Sequence, residues 1–140
     1  MRTAPLALAA LVSATPVAAT VAPAAADSCW NHNGSIMRLQ AQGNRRQFYY
    51  ERPRGTLARA GVQPGTLLFN GTKRGNSYEG TSRVFSRFCP GAPQEYYVQG
   101  PVSNNQLKVT LYGTRDRFQR CEPTGTTTTD TLVFTYAYDC

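Results

Sequence analysis

Beyond an opening rich in Ala and Pro, the chain is written in short runs of alternating apolar and polar residues, separated by Gly, Pro and Asn clusters. No stretch sustains the i, i+3, i+4, i+7 apolar spacing of an amphipathic helix. The pattern therefore predicts an all-β domain with little helix. Residues 35–41 place Met37, Leu39 and Ala41 on one face, and residues 47–51 place Phe48 and Tyr50 together. Residues 56–62 make a connection long enough for one helical turn. The central hairpin spans residues 65–89. Its first strand, 67–70, is apolar enough to be buried on both faces, and Gly75-Asn76 supply a tight turn. Residues 78–88 then alternate, with Tyr78, Gly80, Ser82, Val84, Ser86 and Phe88 on one face and Glu79, Thr81, Arg83, Phe85 and Arg87 on the other. Small residues between larger ones suit the inside of a tightly curved sheet, and Gly80 allows a bend or a close backbone approach.

Further strands are expected at 95–99, with Tyr96 and Val98 opposed to Tyr97, at 106–112, with Leu107, Val109 and Leu111 inward, and at 131–138, with Leu132, Phe134, Tyr136 and Tyr138 on one face. Residues 113–130 are mostly polar and read as a long loop, with room for a short strand at 118–121. The segment after Cys29 reads as a polar turn, with Trp30 packed on a disulfide. Seven or eight strands in sequential order make an antiparallel meander. Closing it into a barrel, wholly or in part, removes exposed edges.

The first 26 residues change the setting. Arg2 precedes a short apolar run, and Ala24-Ala25-Ala26 offers a small-residue cleavage site, the order of an export signal. The run is shorter than the roughly 20 apolar residues of a membrane span. Residues 27–140 then form a single domain, periplasmic or extracellular, in which Cys29, Cys89, Cys121 and Cys140 form two disulfides. Pairing Cys29–Cys89 with Cys121–Cys140 is favoured by local loop closure. Cys29–Cys140 with Cys89–Cys121 is the alternative if the last strand meets the first.

Fifteen basic residues stand against eight acidic ones, a formal net charge of +7. All but Lys73 and Lys108 of the basic residues are arginine, scattered along the chain rather than clustered. The excess speaks to solubility and electrostatic steering before it speaks to a site. The aromatic residues among these arginines are accounted for by strand packing, and an exported chain is not expected to meet nucleic acid. His32 is the only histidine, and no motif supplies it with a catalytic partner. There is no G-x-S-x-G, no phosphate loop and no C-x-x-C, so neither a conventional enzyme nor a metal or cofactor site is expected. The candidate binding residues are Arg74, Asn76 and Tyr78 at the hairpin turn, with Arg83 and Arg87 on the strand that follows.

Several segments carry a resemblance. They are Cys29-Trp30-Asn31-His32-Asn33-Gly34-Ser35 with Met37-Arg38-Leu39, Phe48-Tyr49-Tyr50 with Pro53-Arg54, Gly61-Val62 with Gly65-Thr66-Leu67-Leu68-Phe69 and Gly71, Tyr78-x-Gly80-Thr81 with Phe85 and Cys89, and Val109-Thr110-Leu111-Tyr112-Gly113. In these the chain resembles an uncharacterised family of small exported alphaproteobacterial proteins, a module also found C-terminal to caspase-like peptidase domains. The resemblance covers nearly all of residues 27–140 and implies no activity. Arg74-Gly75-Asn76-Ser77-Tyr78 is more weakly similar to the Ser-Gly-x-x-Tyr loop of periplasmic lysozyme inhibitors, which are small eight-stranded barrels. The expected function is a non-catalytic exported module that binds a cell-envelope protein, polysaccharide or lipid. The alternatives are inhibition of an envelope hydrolase through the 75–78 turn, which needs Arg74 and Tyr78 to project from the surface, and polyanion binding through surface arginines.

Overall fold

Each alternating run pairs with the next, and the last pairs with the first. A computed structural model describes residues 1–18 and 27–140. The expected cleavage site at 24–26 lies outside the described residues. Residues 1–18 carry no helix or strand and are exposed. No helix among the described residues is long and apolar enough to cross a membrane.

Eight antiparallel strands close a barrel in chain order: β1 (Ser28–His32), β2 (Ser35–Gln42), β3 (Arg45–Arg52), β4 (Leu67–Arg74), β5 (Ser77–Val84), β6 (Gln94–Pro101), β7 (Lys108–Gln119) and β8 (Glu122–Asp139). A short 3-10 helix (Gly55–Ala60) fills the connection after β3 and ends at Gly61 in the left-handed region. Closure is made by β1 on β8, from Ser28↔Asp139 to Asn31↔Thr135.

Most inward positions are those the alternation marks, but Leu107, expected inward, and Tyr138, expected on the face of Leu132 and Phe134, are exposed at the strand ends. Met37, Phe48, Phe69, Val98, Val109, Leu111 and Phe134 have no solvent contact. An eight-stranded barrel has just enough interior for its own side chains. Here aromatic rings fill much of it, in one continuous column. His32 stacks on Phe134 (centroids 4.3 Å apart), Phe134 on Phe48 (4.0 Å), Phe48 leans on Phe69 (6.4 Å), and Phe69 stacks on Tyr78 (6.4 Å). Removing one of these buried rings costs about 3–5 kcal/mol. Gly71 faces Gly80 across β4 and β5. A Cβ on either would strike the opposite backbone, so the two strands approach more closely than other residues permit.

Several expectations are corrected. The disulfides are Cys29–Cys140 and Cys89–Cys121, not the locally closed pairs. The β1–β8 seam pairs Cys29 with Tyr138 and so brings Cys140 to the start of β1. The segment after Cys29 is a strand, not a turn, with Trp30 set edge-on between Phe48 and Tyr136. Finally, residues 113–130 are not a loop. β7 and β8 stay paired to Gln119↔Glu122, whereas β6 meets β7 in register at Gln99↔Tyr112 and β1 leaves β8 at Thr135. The hairpin continues past the barrel wall as a two-stranded arm, exposed over residues 116–127. The long strand expected at 78–88 is correspondingly shorter: β5 ends at Val84, and Phe85 turns in to pack on the core while Phe88 faces solvent.

Candidate functional site

The candidate binding residues divide between the two ends of the barrel. At one end Arg74, Gly75, Asn76 and Ser77 form the β4–β5 turn, in which Gly75 alone needs a positive φ. Arg74 projects, 76% exposed, and pairs with Glu79 at 2.6 Å. Asn76 is exposed. Tyr78 does not join them. It is 4% exposed inside the barrel, stacked on Phe69 with the Arg46 guanidinium 5.8 Å from its ring centre. Burial pushes its phenol up, with Arg46 pulling the other way. Tyr78 is therefore a core residue, and the turn offers the surface only Arg74 and Asn76 of the expected set.

Arg83 and Arg87 lie at the opposite end. Here the Asn33-Gly34 turn, the 3-10 helix, the β5–β6 loop and the root of the β7–β8 arm gather over the barrel mouth. Gly91 of the loop packs against Gly61 so closely that a Cβ at Gly61 would sit 2.8 Å from the Gly91 nitrogen. Cys89 in the loop is bonded to Cys121 at the tip of the arm, so loop and arm are held as one cap.

Two cavities open under and beside this cap. The first, of about 350 Å3, sits over the mouth and is lined in part by His32, Tyr50, Arg83, Tyr96, Arg115 and Asp130. Three of its polar groups are bonded to one another, and Arg83 and His32 are bonded to residues outside it. Asp130 Oδ2 accepts from Arg115 Nε at 2.6 Å and from the Tyr96 hydroxyl at 2.9 Å. Arg83, with a side chain 16% exposed, donates to Asn70 Oδ1 at 2.8 Å and pairs with Glu95 at 3.3 Å. Burial, then the bond to Asp130, raises the Tyr96 phenol. Burial pushes Tyr50 up to about 12, against a smaller opposing effect of Arg54. His32 donates from Nδ1 to the Val133 carbonyl at 2.9 Å, and its Nε2 faces the Asn33 amide at 3.5 Å. Burial lowers its pKa, so the ring is neutral at pH 7. Both of its nitrogens are thus occupied by an amide or a carbonyl rather than a carboxylate. Asp130, across the same cavity, is engaged by Tyr96 and Arg115.

The second cavity, about 690 Å3, lies between the β5–β6 loop and the arm, and Val84, Phe85 and Arg115 separate it from the first. Arg87 and Arg120 supply its net charge, and Arg115, paired with Asp130, also lines it. Phe85, Phe88 and Phe118 supply its apolar wall, with the Cys89–Cys121 bridge between them. The Arg87 guanidinium lies 4.8 Å from the centre of the Phe88 ring. Of the expected residues the structure brings Arg83 and Arg87 to neighbouring cavities, and it leaves Arg74 and Asn76 at the far end. Arg115, Phe118 and Arg120 were missed because their segment reads as a loop. The signal that could have placed them is the Cys89–Cys121 pairing, which puts residues 118–121 beside 85–89.

The chain was compared with protein-family models, with curated proteins and with solved structures, and nothing matches in any of the three.

Proposed function

We propose that this chain is an exported, non-catalytic binding module of the cell envelope, and that its working face is the capped end of the barrel. The carrying observation is the 690 Å3 cavity, in which arginines and phenylalanines face each other with no carboxylate among the lining residues. A cleft of this size, walled about equally by apolar rings and polar groups, falls in the range of small-ligand sites. Two disulfides favour the exported setting, since such bonds persist in oxidising compartments. An inhibitor acting through the 75–78 turn has less support, because Tyr78 is enclosed in the barrel. Polyanion binding by dispersed arginines is also less favoured. Arg38, Arg74, Arg83 and Arg115 are each engaged by a carboxylate.

The test is amide chemical-shift mapping of the disulfide-bonded protein against separated protein, polysaccharide and lipid fractions of the envelope. Perturbation of residues 84–92 and 115–121 by one fraction is expected. Shifts confined to residues 74–78, or no saturable shift with any fraction, would overturn the reading.

A further inference from the structure

Arg87 and Arg120 have no carboxylate within ion-pair distance among the described residues, whereas Arg115 is neutralised by Asp130. They stand on opposite walls of the large cavity, one on the β5–β6 loop and one at the arm tip. The same cavity exposes two large rings, Phe88 at 62% and Phe118 at 43%. An exposed ring by itself needs no explanation. Two rings lining one cleft, with uncompensated positive charge on both sides, form an amphipathic receptor.

The walls are held in place. Cys89 and Cys121 join them with Cα atoms 5.7 Å apart. Arg120 and Cys121 both adopt positive φ, 51° and 71°, as a two-residue hairpin turn of the favoured twist requires. Neither is Gly or Asn, the residues that take this conformation readily, so the tip departs from the easiest turn chemistry to carry an arginine and a bridging cysteine.

We infer that this cleft binds a small amphipathic anion, with an alkyl chain or ring against Phe85, Phe88 and Phe118 and a carboxylate or phosphate head on Arg87 and Arg120. The inference rests on the reading of the capped end as the binding face. Arginine is suited to both heads because its planar fork donates two parallel hydrogen bonds to them. A neutral amphiphile would cover the rings but leave the guanidinium groups facing an uncharged head, and a cationic one would be repelled.

The probe is dodecyl phosphate, kept below its micelle concentration and titrated into the disulfide-bonded protein by calorimetry. Dodecanoate, octyl glucoside, inorganic phosphate and phosphatidylglycerol vesicles serve as parallel arms. Saturable 1:1 binding of dodecyl phosphate and dodecanoate is expected, with octyl glucoside and inorganic phosphate each weaker by about tenfold or more. The R87Q/R120Q double variant should lose about tenfold or more in affinity for dodecyl phosphate. F118S should weaken it too, whereas R74Q at the far end should not. Circular dichroism and an intact Cys89–Cys121 bridge by mass spectrometry establish that each variant is folded.

Equal affinity for octyl glucoside, or an unchanged R87Q/R120Q variant, would overturn the inference. So would binding to vesicles without binding of the monomer, which would indicate adsorption to a membrane surface. If dodecyl phosphate fails while an envelope fraction still shifts residues 84–92 and 115–121, the ligand class falls and the binding face stands. If shifts appear only at 74–78, both fall.

Discussion

His32 extends the seam that closes the barrel: its Nδ1–H donates to the Val133 carbonyl at 2.9 Å, just beyond Asn31↔Thr135, where the β1–β8 register ends. A carbonyl only accepts, so the proton sits on Nδ1, and burial against Phe134 keeps the ring neutral. A protonated ring would have to hold charge in this apolar contact.

That relationship sets a pH dependence. The folded pKa lies below the ordinary 6.5, with burial the main cause. Between the two values the unfolded chain binds more protons, so stability rises with pH there. The His32 contribution is complete above pH 6.5 and is lost as pH falls through the folded value. Thermal midpoints should drop between pH 7.5 and 5, and the drop should be smaller in H32Q. Parallel profiles for the two proteins would contradict this. Glu51, lowered by its bond to Arg38, loses its contribution only below the ordinary 4.5, in a separate window.

The two disulfides should differ in what their removal does. Cys29–Cys140 spans 111 residues and locks the closing seam, and Cys89–Cys121 spans 32. Replacing Cys29 and Cys140 by alanine should cost about 4–5 kcal/mol in urea unfolding, on loop-closure grounds. Replacing Cys89 and Cys121 should cost less and act locally. Hydrogen exchange should quicken over residues 114–129 while β2 to β5 stay protected. Non-reducing peptide mapping should recover Cys29 linked to Cys140.

The Gly71–Gly80 pair should not accept a side chain. G71A or G80A puts a methyl group into the opposite backbone, on strands that pair directly. A loss of about 2–3 kcal/mol is expected from overpacking. By contrast G43A meets open space and suffers mainly from its positive φ of 57°, so it should cost less than either.

Asp130 should prove to hold the barrel mouth together. D130N keeps an acceptor but removes the charge that Arg115, 19% exposed, is paired with. A loss of about 1–3 kcal/mol is expected by chemical denaturation. Ultraviolet titration should also show the Tyr96 phenol falling toward its ordinary range, because the carboxylate helps to raise it. An unchanged Tyr96 titration would contradict the arrangement.

Legibility followed solvent exposure. Where one face of a strand is buried, alternation is visible: Met37 and Leu39, Phe48 and Tyr50, Val109 and Leu111, Leu132 and Phe134 all point inward as their spacing predicts. The arm has solvent on both faces, so Thr124, Thr126, Thr127 and Thr128 carry no such pattern, although threonine suits a strand. Ser28–His32 is short and mostly polar around Cys29 and Trp30, and its strand identity comes from pairing with β2 on one side and β8 on the other. At the site, Arg87 could be named from the sequence. Its partners across the cleft, Arg115, Phe118 and Arg120, belong to the segment that carries no alternation.

Local chemistry determined the all-β class, the strand set with one buried face, the turn at Gly75 and the requirement for two disulfides. These follow from period-two burial, from the φ that glycine permits and from the even number of cysteines. Only the tertiary structure decided which cysteines meet, that Tyr78 is enclosed, and that Arg87 and Arg120 line one cavity. Each depends on barrel closure and the return of the arm, which juxtapose residues far apart in the chain. Pairings of that kind are set by the whole sheet and leave no local trace.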